Sequence, residues 1–185
     1  MNENLKYSPE TIDVLIVINA NYIKKNYLRN TDPNNAQKID RNSHYLIVYN
    51  PREIVSVQGK ADLSLKTKIG DSFNFRATTI QQNSEDSAVV LYKIEHGDGN
   101  TIFTSFGYVI NFANKVVQPN TDTYRPIPPL FKTQCFASYD TKVKSEGTEN
   151  VFVYFALYIV TDNFDSHELY GYYYWDPQFT VEFIK

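Results

Sequence analysis

Near its C-terminus the chain reads Tyr170-Gly171-Tyr172-Tyr173-Tyr174-Trp175-Asp176-Pro177, and it continues as Gln178-Phe179-Thr180-Val181-Glu182-Phe183-Ile184. Five of the first six residues are aromatic, and aromatic and β-branched residues favour the half-buried surface of a sheet. Proline has no N–H to donate to a strand ladder, so the Asp-Pro step ends the first strand. The sequence therefore predicts two consecutive strands joined by a forced bend.

Successive side chains in a strand point to opposite faces. This alternation places Tyr172 and Tyr174 on one face and Tyr173 and Trp175 on the other. The two pairs cannot line the same pocket, so we expect one pair to pack in the core.

The rest of the chain reads as short apolar or alternating runs separated by turn clusters, which predicts roughly nine or ten strands. This pattern favours an all-β fold, an antiparallel β-sandwich of jelly-roll-like type, formed by residues 1–185 as a single domain. Ile12–Ala20 is almost continuously apolar and reads as a strand buried on both faces. Only Asn21–Leu28 resembles a helix, and it is short.

Composition excludes several classes of partner. The formal net charge is -3 and the densest basic spots are isolated pairs of lysines, so neither nucleic acid nor an anionic membrane is an expected partner. The first residues lack a basic region followed by an apolar one, which predicts no signal peptide, and no apolar run is long enough to insert in a membrane.

Cys135 is the only cysteine, which fits a reducing cytoplasm, and its apolar neighbours suggest a core position.

The proline-rich segment Gln118–Pro129 must run extended over much of its length. Long loops are often functional. An arm that packs on a neighbouring subunit is an equally good interpretation of this segment.

Oxygen-rich side chains cluster just before the aromatic run, at Asp162-Asn163-Phe164-Asp165-Ser166-His167-Glu168. Calcium takes six to eight oxygen ligands, usually from loops. We therefore predict that Asp162, Asp165 and Asp176 hold a divalent cation, with calcium as the expected ion. The loop lacks the EF-hand spacing, and an ordinary solvated hairpin loop is the alternative. Sugars stack on aromatic rings and hydrogen-bond to polar side chains, so the predicted carbohydrate-binding residues are Tyr172, Tyr174, Trp175 and Asn19.

Catalysis has little support in the sequence. The chain contains no nucleophile elbow, zinc-protease motif or phosphate loop, and its three histidines are scattered. Asp176 and Glu182, which flank the last strand, are the only pair of carboxylates that suggests acid–base chemistry. We therefore predict that the protein is not an enzyme.

Several segments, taken in order, resemble the AidA/PixA inclusion-body protein family of bacteria. The segments are Ile12–Val17, Val55–Leu63, Gly70–Thr78, Leu91–Lys93 and Gly171–Pro177. The single methionine, Met1, is a further likeness. Members of the family tend to carry aspartate in place of Asn19, glycine in place of Val57, and Trp in place of Tyr174. The change at Asn19 removes a charge from any cation site there, whereas Tyr for Trp keeps a stacking face.

The resemblance implies a cytoplasmic β-sandwich protein that accumulates in inclusion bodies as a homo-oligomer. It also implies lectin-like binding of galactosides or other glycans with the help of a divalent cation. A purely structural or storage protein, whose aromatic residues make lattice contacts, is the alternative.

Overall fold

The structure is a computed structural model and describes residues 8–55, 62–84, 86–123 and 125–184. Residues 56–61, which include part of the segment Val55–Leu63 of the family resemblance, lie outside the described residues. So do the first seven residues, on which the signal-peptide prediction rests, and Tyr124 in the proline-rich segment.

Twelve strands and one short helix make up the described fold. The strands are β1 (Thr11–Ile18), β2 (Gln37–Lys38), β3 (His44–Tyr49), β4 (Glu53–Ile54), β5 (Leu63–Thr67), β6 (Ser72–Thr79), β7 (Ser87–His96), β8 (Gly107–Gln118), β9 (Leu130–Lys142), β10 (Gly147–Val160), β11 (His167–Trp175) and β12 (Gln178–Phe183). The helix α1 spans Ala20–Asn26, close to its predicted position, and a single 3₁₀ turn follows at Pro33–Asn35.

The strands form two sheets, which confirms the predicted all-β sandwich. The first sheet has the order β3-β1-β6-β9-β8, and the second has the order β2-β11-β10-β12-β5-β4, with β7 on β10. Both sheets are mixed rather than purely antiparallel, because β1 runs parallel to β6, β2 to β11 and β5 to β12. Parallel neighbours need long crossover connections, which the sequence pattern does not reveal.

The core lies between the two sheets and is rich in aromatic rings. Phe73, Phe75, Phe103 and Phe179 form a mutually packed cluster, with ring centroids between 4.9 and 6.4 Å apart. Strands from both sheets contribute to this cluster, so it ties the two layers together.

The interpretation of the first strand as buried on both faces is wrong. Ile12, Val14, Ile16 and Ile18 are fully buried, whereas Leu15 between them is 37% exposed. Leu15 and Val17 lie on the outward face of β1 together with Asp13, and only the opposite face meets the second sheet.

Cys135 also departs from its prediction, because it is exposed on β9 rather than buried in the core. No helix among the described residues is long and apolar enough to cross a membrane.

Candidate functional site

Strand β11 has one buried face and one outward face. Tyr173 and Trp175 are 0% and 2% exposed, whereas Tyr172 and Tyr174 are partly exposed. The predicted separation of the two pairs is thus confirmed. The Asp-Pro step ends β11 at Trp175, as predicted, but the forced bend is not found, because β12 resumes at Gln178 on the same edge of β10 in the same register.

The inward residues have structural partners. The ring of Trp175 lies 4.4 Å from the ring of His44 and 6.0 Å from that of Phe155. The hydroxyl of Tyr173 donates to the carbonyl of Leu28 at 2.8 Å. Because Trp175 is enclosed in the core, the prediction that it stacks on a sugar is wrong.

The outward tyrosines join rings from the neighbouring strands to form a surface that we call the aromatic platform. Its members are Tyr92 on β7, Phe152 and Tyr154 on β10, and Tyr172 and Tyr174 on β11. Tyr154 and Tyr174 are stacked with ring centroids 5.2 Å apart, and Tyr92 meets Tyr172 edge-on at 5.3 Å. The platform therefore crosses three adjacent strands on the outer side of the second sheet.

A bulge in β7 places Tyr92 on the platform. Tyr154 pairs with Lys93 while the next residue, Phe155, pairs with Leu91, so Tyr92 is the additional residue. Bulges re-aim side chains, and this one turns two consecutive side chains outward. The ammonium of Lys93 lies 4.2 Å above the ring centroid of Tyr154 and 3.0 Å from the carboxylate of Glu95. A cation over an aromatic ring is a favourable contact that orders the platform.

The phenols of Tyr92 and Tyr154 are neutral at physiological pH. Burial raises the pKa of the Tyr92 phenol to about 12 and also raises the pKa of Tyr154. The hydroxyl of Tyr92 is buried and has no hydrogen-bond partner among the described residues. The platform can therefore offer apolar ring faces together with neutral hydroxyls.

A groove of about 400 Å³ opens at one end of the platform. Lys38, His44, Asn150, Trp175, Asp176 and Gln178 line it, along with three neighbouring residues. Lys38 is the register partner of Tyr174, and its ammonium lies 2.7 Å from the carboxylate of Asp176. That hydrogen bond is the main reason that the pKa of the Lys38 ammonium is raised. The groove is therefore polar, and it is continuous with the aromatic surface.

Two buried ring nitrogens belong to residues in the wall of the groove. Nε2 of His44 and Nε1 of Trp175 have no hydrogen-bond partner among the described residues. Burial lowers the pKa of the His44 imidazole to about 4, so the ring is neutral at physiological pH. Unpaired polar atoms in a protein interior are uncommon and call for an explanation such as a ligand or water.

The three aspartates predicted to hold a cation do not meet. Asp162 and Asp165 lie in the exposed loop before β11, whereas Asp176 follows its other end. The nine residues of β11 separate them by roughly 30 Å at ~3.3 Å per residue. The carboxylate of Asp165 accepts hydrogen bonds from Thr161 at 2.8 Å and from Ser166 at 3.0 Å, and these bonds lower its pKa. In the part of the chain that the structure describes, no three acidic, histidine or cysteine side chains are grouped to hold a metal ion.

Asn19 has a local structural role. It caps the N-terminus of α1, where its side-chain oxygen accepts from the backbone N–H of Tyr22 at 3.0 Å. Asparagine and aspartate are both among the preferred N-cap residues. The side-chain oxygen of Asn19 is therefore engaged in capping, away from the platform on the second sheet.

The suggested acid–base pair is also separated. Asp176 and Glu182 lie at opposite ends of β12, and six residues of extended chain span about 20 Å. The carboxyl pairs of glycosidases lie within about 10 Å of each other. The two carboxylates are therefore too far apart to act together as an acid–base pair.

Sequence reasoning missed Tyr92, Phe152, Tyr154 and Lys38. Alternation within Val151–Val160 signals that Phe152 and Tyr154 share a face, but no local pattern shows that β10 lies beside β11. The bulge at Tyr92 has no sequence signature here, and β2 is only two residues long.

Comparison with known proteins agrees with the fold. The model of the PixA inclusion body protein family matches residues 10–181. A crystal structure of an inclusion body protein (PixA) from Burkholderia cenocepacia J2315 is 25% identical and superposes with a TM-score of 0.81. That similarity covers 97% of this chain and 99% of the other. Among curated proteins, none matches this chain. The family model spans nearly the whole sequence, and the chain therefore belongs to the PixA inclusion body protein family.

Proposed function

We propose that this inclusion body protein is a lectin, which binds a galactoside or a related glycan across the aromatic platform and the adjoining groove. The observation that supports the proposal most strongly is the continuity of the two surfaces. Tyr174 on the platform pairs in register with Lys38, and Lys38 in turn contacts Asp176 in the groove.

The chemistry of the two surfaces matches the two sides of a sugar. A pyranose has an apolar C–H face, which stacks on aromatic rings, and a rim of hydroxyls that both donate and accept hydrogen bonds. The partly exposed rings of Tyr172 and Tyr174 suit the apolar face. Lys38 and Asp176 suit the hydroxyls, because hydrogen bonds to charged groups contribute ~1.5–3 kcal/mol each. The amides of Asn150 and Gln178 add a further donor and acceptor in the same groove.

A divalent cation is not part of this proposal. Calcium requires several convergent oxygen ligands, and Asp162 and Asp165 are separated from Asp176 by roughly 30 Å of extended strand. Whether calcium strengthens sugar binding is nevertheless a separate and simple comparison, so the experiment includes calcium and a chelator.

Isothermal titration of the purified chain with galactose and with a galactose-containing disaccharide tests the proposal. We expect saturable binding, and we expect Tyr174→Leu and Asp176→Asn each to weaken it at least ~10-fold, the equivalent of about 1.4 kcal/mol. Each variant has a matched control. Tyr45→Leu removes a tyrosine that is 43% exposed on the other sheet, and Asp13→Asn neutralises an aspartate in a similarly exposed ion pair with Arg76.

The controls should bind like the natural sequence. Equal loss in the test and control variants would refute the assignment of the site, and the absence of binding across a broad glycan panel would refute the lectin function. In that second case a storage or structural role in inclusions is the better account. One feature that favours self-assembly is an uncovered apolar surface on the first sheet.

A further inference from the structure

Strands β8 and β9 continue beyond the body of the sandwich. β9 pairs with β6 only through Tyr139–Lys142, and over Leu130–Ser138 its one strand partner in the described chain is β8. We call Val109–Gln118 together with Leu130–Ser138 the arm. The arm is a two-stranded ribbon, and two-stranded ribbons are marginally stable by themselves in water.

One face of the arm is apolar. Register pairs Ile110 with Ala137, Phe112 with Cys135 and Val117 with Phe131, and directly opposed residues of an antiparallel pair share a face. One extra residue in β8, between Ala113 and Val116, returns Val117 to the face of Phe112. The four large side chains of this apolar face are each more than half exposed. They are Ile110 (52%), Phe112 (70%), Val117 (63%) and Phe131 (64%).

This apolar face is an extension of the core-facing side of the first sheet. Tyr139 is two residues from Ala137 on β9, so it points to the same side, and it is buried opposite Phe75. Within the body the second sheet covers that side. At the base of the arm, Cys135 and Ala137 border a cavity of about 470 Å³ whose lining includes Val89 and Leu91 of β7, so the second sheet reaches this far. Farther along the arm, the large apolar side chains are exposed, although a sheet with an apolar face is stable only when another layer covers it.

The composition of the arm is that of an interface. Only Lys115 and Lys132 are charged among its 19 residues, whereas 21% of the whole chain is charged. Depletion of charge together with exposed aromatic side chains marks the centres of protein–protein interfaces. An exposed apolar patch of this kind on a globular protein signals an interaction site.

We propose that the apolar face of the arm docks on the same face of a second copy of this chain, related by a twofold axis. A second copy is the occupant that we infer, because the chain belongs to a family of inclusion body proteins, and dense inclusions bring copies of the same chain together. Together with Tyr108, which is 51% exposed at the base, the face offers five large side chains. With ~200 Å² for each residue, these expose on the order of 500 Å² per copy. Two copies then bury about 1,000 Å², the lower bound for a specific interface.

This inference does not depend on carbohydrate binding, because the arm and the aromatic platform lie on different sheets. Arm variants should bind sugar normally, and platform variants should associate normally. The two proposals can therefore fail separately.

The test is the molar mass of the full chain by size-exclusion chromatography with light scattering, over a range of concentrations. We expect a dimer for the natural sequence. Because an isologous contact contains each substitution twice, Phe112→Ser combined with Phe131→Ser should weaken association at least ~100-fold. Phe164→Ser is the matched control, since Phe164 is 80% exposed in the loop before β11 and should leave the dimer intact.

Cys135 provides a second readout on the natural sequence. It is the only cysteine, it is exposed, and it lies on the apolar face opposite Phe112. Its alkylation by a maleimide should slow as the protein concentration rises and the dimer forms. A monomer at all concentrations, a dimer that survives the double substitution, or an alkylation rate independent of concentration would each overturn the proposal.

Discussion

Removing the carboxylate of Asp71 should destabilise this protein far more than removing any surface charge. Asp71 is fully buried just before β6, and Arg52 beside it has a side chain only 13% exposed. The carboxylate accepts from the Arg52 guanidinium at 2.7 and 2.9 Å. It also accepts the backbone N–H groups of Glu10 at 2.9 Å and Lys68 at 2.8 Å. One side chain therefore fixes the start of β1, the entry to β6 and the loop after β3.

The expected loss in the free energy of unfolding of Asp71→Ala follows from the charge of Arg52, which the substitution leaves without its partner. Loss of one partner of a buried ion pair costs about 3–5 kcal/mol, because the other charge stays buried without its counter-ion. For a chain of this size ~1 kcal/mol corresponds to 2–4 °C, so the melting temperature should fall by roughly 10 °C. The matched control is Asp13→Ala. Asp13 lies 2.9 Å from Arg76 in a pair whose side chains are both about half exposed, and such pairs contribute ~0–1 kcal/mol.

Urea denaturation, followed by the fluorescence of the single tryptophan, measures both variants under the same conditions. The reasoning requires a large fall in the midpoint for Asp71→Ala and almost none for Asp13→Ala, at unchanged slope. Similar falls in the two variants, or a loss below ~1 kcal/mol for Asp71→Ala, would refute it.

Two further predictions concern the buried side of β11. The folded protein holds His44 neutral down to about pH 4, whereas the unfolded chain protonates near pH 6.5, so protonation favours unfolding. This contribution to stability is complete above pH 6.5, and about 3 kcal/mol of it is lost as the pH falls to 4. His44→Phe, which keeps a ring against Trp175, should reduce the pH dependence of the urea midpoint, and parallel profiles for the two proteins would contradict this assignment. Gly171→Ala should cost ~1–3 kcal/mol, since the added Cβ would lie 2.8 Å from the backbone nitrogen and 2.9 Å from the backbone oxygen of Asn30. The control Gly107→Ala, where the nearest atom is 3.9 Å away, should change the free energy of unfolding by less than ~0.5 kcal/mol, and equal effects at the two glycines would exclude the close approach as the cause.

Local patterns predicted the parts of the fold that local physics controls. The alternation of β11 correctly separated Tyr172 and Tyr174 from Tyr173 and Trp175. Successive side chains of a strand point to opposite faces, and only one face of β11 is buried. Likewise, the missing N–H of Pro177 placed the end of the strand.

Features that depend on which layer covers a strand were not predicted in this way. Leu15 and Val17 make the outward side of β1 largely apolar, and Asp13 was the one charged residue in the strand that marked this side as the outward one. Cys135 has apolar neighbours in a strand, but that strand extends past the body, so burial does not follow.

Only part of the candidate site could be predicted from the sequence. Tyr172 and Tyr174 lie in one conspicuous run, whereas Tyr92 and Tyr154 reach the platform through lateral pairing of β7 and β11 with β10. Proximity along the chain also misled the metal prediction. Asp165 and Asp176 are eleven positions apart, and because β11 between them is extended, they lie at its two ends.

The central claim is that the platform and the groove bind a sugar, and a crystal structure of the protein with a bound galactoside tests it most directly. The account predicts a sugar ring against Tyr174 with hydroxyls hydrogen-bonded to Asp176 and Lys38. A galactoside bound elsewhere, for example at the loop of Asp162 and Asp165, with the platform bare, would contradict it.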